Sequence, residues 1–408
     1  MAAFDDDDAP VPPEIACADQ IFDLSFHPGG EYLACGLIDG AVELWKYGLD
    51  ANEKVFSSNP HQGSCRGLQF NSDGSVLYSI SSDGCLRGID GVGKETFKIE
   101  NAHPSSINKM SILDTNLLST GDDNGIVNIW DVRQSGQTPI MSWNVHTDFI
   151  SGFAYNNDRN TLLSTSGDAT LAAYDMKKGS SINNKGELSG YERSDDQEAE
   201  LNCCVIIKNG KKIVCGTHEG VLLVFTWGHW GDCSDRYPGH PETVDCLYKI
   251  DENTVMTGSS DGIIRAVSIQ PNKMIGVLGD HEEFPVEGMY SSIDGKFLAS
   301  YAHDNLVRFN DISMFVDDED DVIHDESSAS AMKTSADGED EDEDEDEDGE
   351  FGSDEDDDND KMEQVDDDSS DFDSASSDDE MGGNGRAAGA GSGGYKMKSA
   401  AEKFYSDL

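Results

Sequence analysis

Basic residues are scarce in this chain of 408 residues, with 28 Lys and Arg against 82 Asp and Glu and a formal net charge of −54. Direct contact with nucleic-acid phosphates needs clustered Lys and Arg, so no direct nucleic acid is expected and a basic protein is the natural partner. No apolar run approaches the roughly 20 residues of a membrane span, so no membrane is expected. The N-terminal MAAFDDDDAPVPP is acidic where a secretory signal would be basic and then apolar. The nine Cys include no Cys-x-x-Cys pair and no zinc-spaced ladder with His. An odd cysteine count without a signal fits a reducing, intracellular compartment, with most thiols sitting in apolar runs as small hydrophobes. The chain also lacks a phosphate-cradling Gly loop and a nucleophile elbow, and His281-Glu282-Glu283 lacks the second histidine of a zinc-protease helix. No cofactor, no metal and no catalysis are expected.

What the chain does have is a repeat. Seven segments, LIDGAVELWK, SSDGCLRGID, GDDNGIVNIWD, SGDATLAAYD, THEGVLLVFT, SSDGIIRAVS and AHDNLVRFND, share a tight turn followed by an alternating strand. The turn positions Asp39, Asp83, Asn124, Asp168, Glu219, Asp261 and Asp304 lie 44, 41, 44, 51, 42 and 43 residues apart, the period of WD repeats. Each unit reads as four strands, in the sixth 244–250, 254–259, 263–269 and 273–279. The expected fold is all-β, a seven-bladed β-propeller over 10–316, with repeats near 21–47, 63–91, 103–132, 146–176, 200–227, 240–269 and 281–312. Residues 11–17 are placed to supply the outermost strand of the last blade. Such a ring is expected to be a monomer within a larger complex.

The turn carboxylates can accept backbone N–H groups and bond to a histidine about 20 residues upstream. His103, His146, His240 and His281 hold that place. These are structural assignments, and Asp261→Ala is expected to loosen blade six by about 1–3 kcal/mol. Trp45 and Trp130 fill the aromatic position six residues after the turn, where the other blades have Ile89, Tyr174, Phe225, Val267 and Asn310. Arg87, Arg265 and Arg308 share one place, four residues after the turn, as a strand arginine of the repeat or an anion site. Trp130, Asp131 and Arg133 form a W-D-x-R string that resembles the motif by which WD-repeat proteins dock on the adaptor of cullin-RING ubiquitin ligases. The longest interval holds 177–200, read as a solvated inter-blade loop. Trp227, Trp230 and Tyr237 lie near a connection, as an interface or as core.

Residues 1–9 are acidic and expected to be disordered. Residues 317–380 carry 34 Asp or Glu against 2 Lys, net −32, which leaves −22 for the rest. With almost no aliphatic side chains this tail cannot bury enough surface to order itself. Ser353, Ser370, Ser376 and Ser377 have an acid three residues downstream, as acidophilic casein-type kinases require, and phosphorylation would deepen the charge. The tail reads as a solubiliser or as a polyanion for basic proteins such as ribosomal proteins or histones. In 381–408 a Gly-rich linker precedes a candidate docking motif at Phe404, Tyr405 and Leu408.

The strings FDLSFHPGGEYLACGLIDG, IKNGKKIVCGTHEG, WGDCSDRYPGHPETVD, TGSSDGIIRAVSIQPNKMIGVLG and GKFLASYAHDNLVRFND resemble the WD repeat-containing protein 55 family over most of 15–316. The resemblance implies the nucleus and nucleolus, with the cytoplasm as a further location. It also implies a scaffold in ribosome biogenesis and ribosomal RNA processing, partnered by ribosome-assembly factors. Plant-type relatives imply the alternative, a cullin-RING ligase adaptor as partner; a chaperone of basic nuclear proteins is a further one. Lys177-Lys178 and Lys211-Lys212 are only pairs, so nuclear import is left to a partner.

Overall fold

The computed structural model describes residues 10–134, 138–182 and 188–315. They form seven antiparallel four-stranded blades of a β-propeller and no α-helix, so no helix is long and apolar enough to cross a membrane. Blade six runs Val244–Lys249, Thr254–Ser259, Ile263–Ser268 and Lys273–Asp280 from the inside outward, within a residue of the strands expected from alternation. Blade seven takes its outermost strand from the N-terminus, where Ile15 and Ala16 pair with Val307 and Leu306 and the Cys17 amide donates to Asn305 at 3.0 Å. The closing strand is thus only two residues of the expected 11–17. Two tyrosines brace the same junction: Tyr301 Oη donates to the Phe22 carbonyl at 2.8 Å and Tyr290 Oη to Asp23 at 2.6 Å.

A blade is apolar on both faces and cannot bury them alone. The buried apolar residues accordingly fall into seven clusters, one at each junction between neighbouring blades. Six of the nine Cys are buried in these layers. Burial pushes the Cys204 thiol up to about 12 and raises Cys65, Cys215 and Cys246 as well, so they stay protonated as small apolar groups.

Two devices recur in all seven blades. Each innermost strand carries a register shift after its first residue, between Ile21 and Asp23 in blade one and between Val286 and Gly288 in blade seven. Such a bulge sharpens strand twist where the sheet meets the central channel. The residue after each turn position also has positive φ, five of them Gly (Gly40, Gly84, Gly125, Gly220, Gly262) and two not: Ala169 at 63° and Asn305 at 61°. Left-handed backbone is what a type I turn needs to rejoin a hairpin, and Gly adopts it without strain.

The segment 177–200 departs from the expected loop. Tyr191–Arg193 is the outermost strand of blade four, and Ser181–Ile182 pairs with Leu188–Ser189 as a separate small hairpin. A three-residue edge strand needs little apolar content, so its Gly, Ser and charged composition hides it. Residues 1–9 and 316–408, with Ser353, Ser370, Ser376, Ser377, Phe404, Tyr405 and Leu408, lie outside the described residues.

Candidate functional site

The histidines and turn acids meet on one face of the ring, but not uniformly. In blade four His146 Nδ1 lies 3.2 Å from the Asp168 carboxylate and Nε2 2.7 Å from Ser164 Oγ, which meets the Tyr174 hydroxyl at 3.0 Å. In blade seven His281 lies 3.0 Å from Asp304 and 2.9 Å from Ser300 Oγ. Blade two has the same arrangement through His61, which sequence reading missed. Its Nδ1 is 3.3 Å from Asp83 and its Nε2 2.8 Å from Ser79 Oγ. The signal was present, because His61 precedes Asp83 by 22 residues as His146 precedes Asp168. Burial opposes ionisation of Asp83 and Asp168, yet bonds from the histidines and backbone amides outweigh it and hold both carboxyls well below the usual range.

Four blades depart from the expected pairing. In blade three the carboxylate is Asp122 rather than Asn124: it lies 3.1 Å from His103 Nδ1 and accepts the Asn124 and Ile126 amides at 3.1 and 2.8 Å. Trp130 Nε1 donates to Thr120 Oγ1 at 2.8 Å, and His103 Nε2 reaches the same oxygen at 2.6 Å. In blade five Glu219 is exposed, and Thr217 Oγ1 accepts the Val221 amide instead at 3.1 Å. In blade one Asp39 accepts the Ala41 amide at 2.9 Å, and the position 22 residues upstream is Cys17. In blade six Asp261 is taken by Arg265, whose Nη1 donates at 2.9 Å, so His240 does not bond to it. His240 keeps Thr257 Oγ1 at 2.8 Å, but its Nδ1 has no partner. Burial and the nearby Arg265 lower His240 to about 4.

The shared arginines hold carboxylates of the ring itself. Arg265 pairs with Asp261, Arg87 with Glu95, and Arg308 lies 3.2 Å from Glu14 beside the closing strand and 3.5 Å from Asp304. Their position serves a turn at Arg265, a cross-strand pair at Arg87 and ring closure at Arg308, each against a carboxylate of the ring.

The W-D-x-R string spans the end of the third strand of blade three, Ile126–Asp131, and runs out on the face opposite the histidine turns. Trp130 is buried at 2% exposure and cannot meet a partner. Asp131 accepts the Arg133 amide at 3.0 Å, Nε at 2.9 Å and Nη2 at 2.7 Å, while the Arg133 side chain is 65% exposed. The bond from Arg133 holds the Asp131 carboxyl well below its usual range. Arg133 is therefore the presented group, fixed in place by its neighbour.

Trp227 and Trp230 form an edge-to-face pair, ring centres 5.3 Å apart, packed into the layer between blades four and five. With Tyr191, Asp175 and Glu192 they line a cavity of about 250 Å³ on the outer wall. Tyr237 packs into the next layer, between blades five and six. Among the described residues no group of three or more His, Cys, Asp or Glu is placed to hold a metal ion.

The WDR55 family model matches residues 12–315, the whole of the ring. The chain belongs to the WDR55 family. It is 37% identical over 313 residues to the WD repeat-containing protein JIP5 of Coprinopsis cinerea, covering 74% of each chain. To the WD repeat-containing protein 55 of Arabidopsis thaliana it is 37% identical, across 72% of this chain and 81% of that one. With the human WD repeat-containing protein 55 the identity is 36%, across 71% and 74%. The WDR55 match ends where the acidic stretch begins, so the family signature is the propeller, a fold that generally serves as a platform for protein contacts.

Proposed function

We propose that this chain is a non-catalytic scaffold in nucleolar ribosome biogenesis and ribosomal RNA processing, binding assembly factors on the faces of its ring. Membership of the WDR55 family carries this reading. Two features support it: most of the buried histidines and turn acids bond within their own blades, and the excess of 82 acids over 28 bases suits basic ribosomal proteins. Sucrose-gradient sedimentation tests it: the chain is expected to travel with pre-ribosomal particles in nucleolar extracts, and its depletion to accumulate rRNA precursors. Sedimentation in light fractions alone with normal precursors overturns the reading.

The exposed, pre-set guanidinium of Arg133 favours a second reading, docking on the adaptor of a cullin-RING ubiquitin ligase. Arg133→Ala should abolish capture by that adaptor, and a thermal melt separates lost docking from the loss of its bonds to Asp131, whose side chain is 9% exposed. Undiminished capture removes this reading. A third, chaperoning of basic nuclear proteins, draws on residues 317–380, as do the phosphorylation candidates.

A further inference from the structure

The central channel opens, at the face that carries the turns between first and second strands, into a cavity of about 460 Å³. Its wall comes from the innermost strands of six blades, all but the fifth, and holds five aromatic residues: Phe26, Phe70, Phe153, Tyr248 and Tyr290. It contains one carboxylate, Asp23, and no Lys or Arg. We propose that this mouth receives an arginine side chain presented by a partner protein, with the guanidinium against the aromatic wall and Asp23 as its counter-ion.

Three observations carry the assignment. First, Asp23 is held at the mouth. Its Oδ1 accepts the Tyr290 hydroxyl at 2.6 Å and its Oδ2 the Leu68 amide at 2.7 Å, the Leu24 amide also bonds to it, and Lys109 acts on it from beyond ion-pair distance. A carboxylate has about four acceptor sites, so capacity for a further donor remains. Second, the innermost strands of blades six and seven add the carboxyl groups of Asp245 and Glu287, while those of blades two and three carry Arg66 and Lys109, and Arg66 is already bonded to Asn108 and lies 3.4 Å from Asp123. Third, the ring already uses this chemistry on its outside. The Arg159 guanidinium lies 4.6 Å from the Trp227 ring centre, and the Lys54 ammonium 4.7 Å from that of Trp45. Arginine fits the mouth better than lysine because its planar head stacks on rings and forks onto a carboxylate at once. Ile293, 63% exposed at the lip, offers apolar contact to the flanking residues of the partner.

The proposal takes from the functional reading only that the ring binds proteins, and it is independent of pathway. The test uses the full chain and a Gly-Ser peptide with one central arginine beside a photo-reactive diazirine, with cross-links mapped by mass spectrometry. Cross-links are expected in segments 23–28, 68–72 and 290–293, and they should disappear when citrulline, of the same shape but uncharged, replaces the arginine. Ile293→Lys, which puts a cation on an exposed lip without touching the core, should lower cross-linking about tenfold. Asp23→Asn should do the same; a thermal melt tells lost binding from lost fold for that variant. Cross-links confined to 317–380, equal labelling by the citrulline peptide, or an Ile293→Lys protein that labels like the wild type would each overturn the proposal. None of these results bears on sedimentation with pre-ribosomes, so the two readings fail separately.

Discussion

His240 differs from His61, His103, His146 and His281 in having no carboxylate against its Nδ1, and that sets its response to acid. Burial and Arg265 lower it from 6.5 to about 4, so between those values the unfolded chain binds a proton that the folded ring does not. Stability therefore falls as pH drops through that window, by about 3 kcal/mol at most. Asp83, Asp168 and Asp304 have lowered carboxyls and lose their contribution only below their ordinary value of 3.8. Burial raises Asp23 and Asp245 instead, and these favour the fold as pH falls. Denaturant melts at neutral pH and at about pH 5 should show His240→Gln losing less stability than the wild type; equal losses would clear His240. At Ala169 the positive φ of 63° strains an L-residue by about 1–2 kcal/mol, partly offset by the looser unfolded chain that glycine brings. Ala169→Gly should raise stability by about 0.5 kcal/mol, and a fall would mean that the buried methyl outweighs the strain. Asp261→Ala removes more than a turn acceptor, because it strands Arg265 at 5% exposure. Its cost should approach about 3 kcal/mol, the upper end of what a turn bond alone predicts, read as a lower urea midpoint.

Strands in regular blades were legible because side chains alternate between two buried layers, and Asp, Gly and Asn punctuate the turns. The strand missed is one whose formation owes little to its own residues: Tyr191–Arg193 becomes a strand because the edge of Leu171–Asp175 is there to pair with. Ile15–Ala16, the closing strand expected within 11–17, pairs with a strand almost 300 residues away along the chain. This closing strand is short, but Ile15 is 1% exposed. A chain beginning at residue 18 should lose at least about 3 kcal/mol from that burial and the lost ladder. The bare edge of blade seven should also make it prone to self-association. A monomeric truncation with an unchanged melting temperature would show that the remaining blades close without it.

At the level of the full ring, function is a question of which groups are left over once the fold is satisfied. Arg87, Arg265 and Arg308 are engaged by carboxylates of the ring, Trp130 by its own blade, and Trp227 and Trp230 by the layer between blades four and five. Arg133 and the aromatic, acidic channel mouth remain open to a partner, on the same face of the propeller. The repeat of roughly 44 residues, the fold class and the acid excess could all be read from the chain, because they depend on periodicity and composition, which are local or additive; the family came from the resemblance of particular strings. Whether a given side chain faces a partner or its own blade could not. Asn124 and Asp122 are two residues apart, and Asp261 can be claimed by His240 or by Arg265; such choices turn on which group the folded blade brings within bonding distance. The channel mouth shows the same limit most fully. Its wall joins residues 23 to 293, and no spacing rule in one dimension relates side chains that meet only when seven blades close into a ring.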